Sequence, residues 1–263
     1  MSRAALQFSH ANGFPAACYR QLFAHLEHDW RISAIPAIGM DPRHPPSEGW
    51  PLLLEQLIAH IERHHTRPVL GVGHSLGGFL SFLAAARRPE LFRAVILLDA
   101  PIIGPIKGRL FAASKRLGFV DRVTPAGATR ERRARWQSLA EAEQHFRGKK
   151  LFRGFTPECL RDYVRYGLEE HDGALRLVID PAVETQIYRT TPHDMSRPLR
   201  DLRVRAGFIG GADSDVVRQV GLATMRRAGL ALSRVPGGHL FPFEDPAGCA
   251  DAIRRMAERL GAC

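Results

Sequence analysis

Short runs of β-branched and other apolar residues alternate along this chain with stretches whose apolar positions recur at helical spacing. Residues 4–9 read as a strand, and 15–27 as a helix with Tyr19, Leu22, Phe23 and Leu26 on one stripe. Residues 31–38 read as a second strand. Residues 50–64 read as a long helix that buries Leu53, Leu54, Leu57, Ile58 and Ile61. A buried strand at 68–72, a helix at 76–87 and an all-apolar strand at 94–98 follow. This β-α-β-α order predicts an α/β fold, with a parallel sheet covered by helices on both faces.

The alternation stops after Asp99. Residues 101–198 are Arg-rich and largely helical in pattern, with 163–168 one amphipathic piece, and Gly and Pro punctuate them repeatedly. Strands at 204–209 and 231–235 and a helix at 216–228 then resume the pattern. A helix over 245–260, with Pro246 in its first turn, closes it. The expected organisation is a core of residues 1–100 and 199–263, interrupted by an insertion at 101–198. Lengthening a surface loop costs little extra closure entropy.

Composition changes this picture little. The 263 residues are 45% hydrophobic and 24% charged, an ordinary globular balance. Residues 1–14 lack the charged and apolar regions of a signal peptide, and no apolar run is long enough to span a bilayer, so a cytoplasmic protein is expected. Cys18, Cys159, Cys249 and Cys263 are scattered without a CxxC pair, which predicts reduced, structural thiols and no metal site. The net charge is +10, and its densest cluster is Arg130, Arg132, Arg133 and Arg135 around Glu131. No aromatic residues interleave it, so it reads as a solvated helix face; neither nucleic acid nor a membrane is expected as partner. Nothing in the pattern sets an oligomeric state.

The chemistry concentrates in Gly73, His74, Ser75, Leu76, Gly77 and Gly78, a G-x-S-x-G motif between a predicted strand and a predicted helix. Reversing from strand to helix in so few residues strains the serine, and flanking glycines let the two elements approach. The Ser75 hydroxyl then projects above the strand end, and the Leu76 N–H at the helix N-terminus can meet a developing oxyanion. A dinucleotide fingerprint starting at Gly71 and Gly73 fails, because Leu76 occupies its third glycine position.

His239, in a Gly-rich loop after the last strand, is the expected base. The loop at 210–217 offers Asp215, the favoured acid, and Asp213; Asp99 is the third contender. The carboxylate that loses would serve as N-cap of the next helix. The 10–15 loop should give the second oxyanion donor, through the N–H of Phe14 or, alternatively, of Asn12.

With these segments assembled, and with Arg88 to Val95 and Gly238-His239 beside them, the chain resembles the α/β-hydrolase superfamily along nearly its whole length. The likeness is to serine esterase and lactonase members with an inserted cap. The resemblance implies a mostly parallel sheet, here of about six strands because the family's N-terminal hairpin is missing. It also implies Ser75 as nucleophile, His239 as base, and residues 101–198 as a helical cap that shapes substrate choice. No cofactor or metal is implied. The expected reaction is hydrolysis of a small-molecule ester, lactone or thioester through an acyl-enzyme. The alternatives are C–C bond hydrolysis, hydroxynitrile lyase or cofactor-free haloperoxidase chemistry, or a non-catalytic ligand-binding protein. His74, Phe111, Trp136 and Tyr188 are candidate substrate contacts, with Phe146, Phe152 and Phe155 as further apolar candidates.

Overall fold

The computed structural model describes residues 3–262, so Cys263 lies outside the described residues. The chain begins with β1 (Ala4–Ser9), β2 (Trp30–Ala34), β3 (Val69–His74) and β4 (Phe92–Leu98). A middle section contains β5 (Arg135–Trp136), β6 (Leu168–His171) and β7 (Ala174–Leu177), and the chain ends with β8 (Arg205–Gly211) and β9 (Ala231–Val235). Six strands form one sheet in the order β2-β1-β3-β4-β8-β9, with every neighbouring pair parallel. The six strands expected from the sequence are therefore all present.

Both faces of the sheet are covered, which is why its central strands β3 and β4 are buried nearly from end to end, while the edge strands β2 and β9 are partly exposed. On one face Leu6, Phe8, Leu70, Val72, Ile96 and Leu98 pack with Tyr19, Leu22 and Ile253. On the other, Val69, Val95, Leu97 and Phe208 pack with Leu53, Leu57, Leu80 and Phe82. Strand order reverses between β1 and β3, so the loops leaving their carboxyl ends diverge there, the position where open α/β sheets bind ligands. Those loops are 10–15 and the turn at Ser75.

Local departures from the expected elements have identifiable causes. The strand expected at 31–38 stops at Ala34, ahead of Pro36, which has no N–H to donate to a ladder. Residues 15–27 form a 3₁₀ turn at Ala16–Tyr19 and a helix at Arg20–Leu26, where Tyr19 turns into the core. The helix expected at 216–228 is two short helices, Asp215–Val220 and Ala223–Arg227, broken where Gly221 takes a positive φ of 78°. Residues 101–198 are less helical than expected, because β5, β7 and β6 make a small antiparallel sheet there.

The arginine cluster is largely consumed by ion pairs: Arg130 with Asp121, Arg132 with Glu184 and Arg133 with Glu141. Cys18, Cys159 and Cys249 are buried free thiols. No helix among the described residues is long and apolar enough to cross a membrane.

Candidate active site

Ser75 sits where β3 hands over to the helix Leu76–Arg87, with φ 52° and ψ −115°. A serine holds that strained conformation only when its surroundings fix it. Its N–H donates to the Leu98 carbonyl at 2.9 Å, and its carbonyl accepts from the Phe79 N–H at 3.1 Å. The glycines make the turn possible by close approach. A Cβ on Gly73 would lie 2.1 Å from the Gly77 carbonyl oxygen, and one on Gly77 would lie 1.9 Å from that of Ser9. Leu76 is the first residue of its helix, so its N–H has no intrahelical partner.

His239 arrives from the sheet edge and crosses above β8 and β4 to reach Ser75. Its Nε2 lies 3.2 Å from the Ser75 Oγ. Its Nδ1 lies 2.7 Å from Oδ2 of Asp99, whose side chain is fully buried. The crossing depends on close contact with the end of β8, because a Cβ on Gly211 would lie 2.2 Å from the Gly238 carbonyl oxygen. Asp99 also accepts the Gly211 N–H at 2.8 Å and the Ser214 hydroxyl at 2.5 Å. These donors solvate a carboxylate that burial would otherwise penalise.

The favoured Asp215 therefore does not meet His239. It is exposed in the first turn of its helix and pairs with Arg218. Asp213 is exposed as well. The N-cap is neither aspartate but Ser214, whose Oγ accepts the Val217 N–H at 3.2 Å. Asp99 prevails because β4 and β8 are neighbours in the sheet, which sets its carboxyl under the histidine loop.

The 10–15 loop also differs from expectation. The Phe14 N–H donates to the Ala11 carbonyl at 3.1 Å and is not free for an oxyanion. The Phe14 ring packs between Phe152, Phe155, Tyr163 and Phe243. The side-chain amide of Asn12, the alternative candidate, donates to the Glu184 backbone carbonyl at 2.9 Å. The loop rests on Glu184, a buried carboxyl 2.7 Å from Nη2 of Arg132. Burial pushes the Glu184 carboxyl up, with the Arg132 charge opposing. Replacing Arg132 by methionine would leave Glu184 buried without its cation. An expected loss of about 3 kcal/mol should appear in urea unfolding, and Arg132→Met with Glu184→Gln should recover part of it.

Of the other candidate contacts, His74 is fully buried and both its ring nitrogens are occupied, so it is not a substrate contact. Trp136 is completely buried against Phe146 and His145 and belongs to the packing of the middle section. Phe111 is half-buried, with the Lys115 ammonium over its ring. Tyr188 is half-buried near Glu184, Arg132 and Asn12, and burial pushes its phenol up. Tyr19, Glu184, Arg132 and Ser214 were not legible in advance, because each acts through a partner distant in sequence.

Two buried histidines tie acid stability to the site. Burial lowers His10 from 6.5 to about 4 and His74, which also faces His239, to about 3. Both take up protons in the unfolded chain at a higher pH than in the folded one. Their contribution is complete above the unfolded value and is lost as pH falls towards the folded ones. The protein should be about 3 kcal/mol less stable at pH 5 than at pH 7 in urea unfolding. Equal stability at the two pH values would contradict this.

A Ser-His-Asp constellation on the crest of a parallel α/β sheet defines the class, and the chain belongs to the alpha/beta hydrolase family, matching it over residues 8–252. Among curated proteins it is 28% identical over 233 residues to the abhydrolase domain-containing protein AFT2-1 of Alternaria alternata. That match covers 73% of this chain and 84% of the relative. It is 33% identical over 110 residues to the type I acyl-CoA thioesterase mpaH of Penicillium roqueforti (strain FM164), covering 42% of this chain and 23% of that protein. Among solved structures, E-2-(acetamidomethylene)succinate hydrolase superposes with a TM-score of 0.78 at 22% identity, covering 98% of this chain and 92% of its own. At that identity the likeness shows the fold alone.

Proposed function

We propose that this hydrolase cleaves a small-molecule carboxylic ester, lactone or thioester through an acyl-enzyme on Ser75. One observation carries the reading: the Ser75 hydroxyl, the His239 imidazole and the buried Asp99 carboxylate form a continuous hydrogen-bonded chain. Asp99 accepts the Nδ1–H of His239 and so leaves Nε2 as the free base. Nε2 takes the Ser75 proton as Oγ attacks the carbonyl carbon. The tetrahedral oxyanion is met by the N–H groups of Leu76 and Asn12. His239 passes its proton to the leaving oxygen or sulfur, then activates the water that releases the acid and restores Ser75.

Residues 101–198 act in this reading as the cap. Its support is that Tyr163, Phe152 and Phe155 close around Phe14, and that the Thr156 N–H donates to the Phe243 carbonyl at 3.0 Å. Thioesters stay within the substrate class because one relative is named a thioesterase. A fluorophosphonate probe should label the protein once, on the peptide carrying Ser75, and block hydrolysis of p-nitrophenyl esters. An unlabelled protein that hydrolyses no ester, lactone or thioester would overturn the reading.

A further inference from the structure

Four hydrogen-bonding groups outside the Ser-His-Asp chain connect the three loops that build the site. The Ala11 N–H donates to the Tyr19 hydroxyl oxygen at 3.1 Å. That hydroxyl lies 2.7 Å from Nδ1 of His74, and Nε2 of His74 lies 2.8 Å from the backbone carbonyl oxygen of His239. We propose that Tyr19 and His74 are positioning residues of this hydrolase, a directed relay that locks the base-bearing loop to the oxyanion loop across the nucleophile turn. The proposal rests on the reading of Ser75 and His239 as the reacting pair.

The direction of the relay follows from its ends. A backbone carbonyl can only accept, so Nε2 of His74 carries the proton and Nδ1 is the acceptor. The Tyr19 hydroxyl must then donate to Nδ1, which leaves its oxygen free to accept from Ala11. Each proton is donated once, and all three hydrogen bonds run in the same direction from Ala11 to His239. Burial keeps His74 neutral down to about 3, so the donor and acceptor assignment holds at any ordinary working pH. Tyr19 and His74 are both buried, and Phe8, Phe23 and Phe243 pack around the tyrosine ring.

The mechanism needs such a link because of the sheet order. Ser75 follows β3 and the oxyanion loop follows β1, so those two are neighbours, but His239 follows β9 at the far edge. Its loop is glycine-rich and bridges β8 and β4. Asp99 orients the imidazole of His239, while His74 holds the backbone beneath it. Fixing both ends of one residue keeps Nε2 aimed at the serine oxygen, and sub-ångström placement is worth large factors in rate.

Tyr19→Phe keeps the ring and removes only the hydroxyl. It should lower kcat for p-nitrophenyl ester hydrolysis about 10-fold to 100-fold, leaving KM within about twofold, because no substrate contact is lost. His74→Leu should lose at least as much. His74→Gln, whose amide can still donate to the His239 carbonyl, should recover most of the His74→Leu deficit. A protein-only readout runs beside the kinetics. In wild type the His74 Nδ1 nitrogen-15 resonance should sit in the unprotonated range, and Tyr19→Phe should speed hydrogen exchange at the Ala11 amide. Kinetics of Tyr19→Phe and His74→Leu within twofold of wild type would overturn the proposal. So would a loss confined to KM, or His74 protonated at Nδ1. A wild type that neither reacts with fluorophosphonate nor hydrolyses esters would sink the hydrolase reading instead. The nitrogen-15 and exchange measurements would still decide whether the relay exists.

Discussion

Asp99→Asn should lower kcat for ester hydrolysis about 10⁴-fold with little change in fold. The amide has the shape of the carboxylate, so Gly211 can still donate to its oxygen. Its nitrogen must then face the Ser214 hydroxyl and Nδ1 of His239, where Oδ2 stood. A donor in that place selects the other imidazole tautomer, with the proton on Nε2, and such a ring cannot take the proton from Ser75. Asp215→Asn and Asp213→Asn should leave kcat close to wild type, because both side chains are exposed and neither touches His239. Steady-state kinetics on the three variants, with circular dichroism to verify folding, check the assignment. A large loss in Asp215→Asn with an active Asp99→Asn would reverse it.

Gly77→Ala should destabilise the protein by about 4 kcal/mol or prevent it from accumulating in folded form. The new methyl would lie 1.9 Å from the carbonyl oxygen of Ser9 and 2.3 Å from its carbonyl carbon. Both are backbone atoms of β1, an interior strand paired on both sides, so neither can yield as a flexible side-chain tip would. Relief would require separating the helix Leu76–Arg87 from β1, which would also carry Ser75 away from the 10–15 loop. Gly148→Ala is the control. The nearest atoms to its new methyl lie 3.5 Å away, an ordinary contact, and it should stay within about 0.5 kcal/mol of wild type. Urea unfolding of both variants tests the contrast, and equal stabilities would show that the corner tolerates a side chain.

Much of this architecture follows from local rules. Six apolar runs, separated by stretches of helical periodicity, predict a covered parallel sheet because such strands must bury both faces. The G-x-S-x-G turn fixes Ser75 at a strand-to-helix corner, since few other sequences allow that reversal. The Gly-rich loop after the last strand marks His239. These features are legible because each is decided by residues close together in the chain.

The remaining decisions belong to contacts between distant segments. Asp99 rather than Asp215 faces the imidazole because β4 lies beside β8, and sheet order is not written in either loop. Phe14 could not serve as an oxyanion donor once its N–H closed a turn on Ala11 and its ring entered the aromatic cluster with Phe152, Phe155, Tyr163 and Phe243. His74 looked like a substrate contact from its place beside the nucleophile, yet its two nitrogens were claimed by Tyr19, 55 residues back, and His239, 165 residues ahead. Sequence alone set which groups can do chemistry and on which kind of turn they sit. Tertiary packing chose their partners, because a hydrogen bond depends on distance and direction in space, and residues far apart in the chain acquire both only when the sheet assembles.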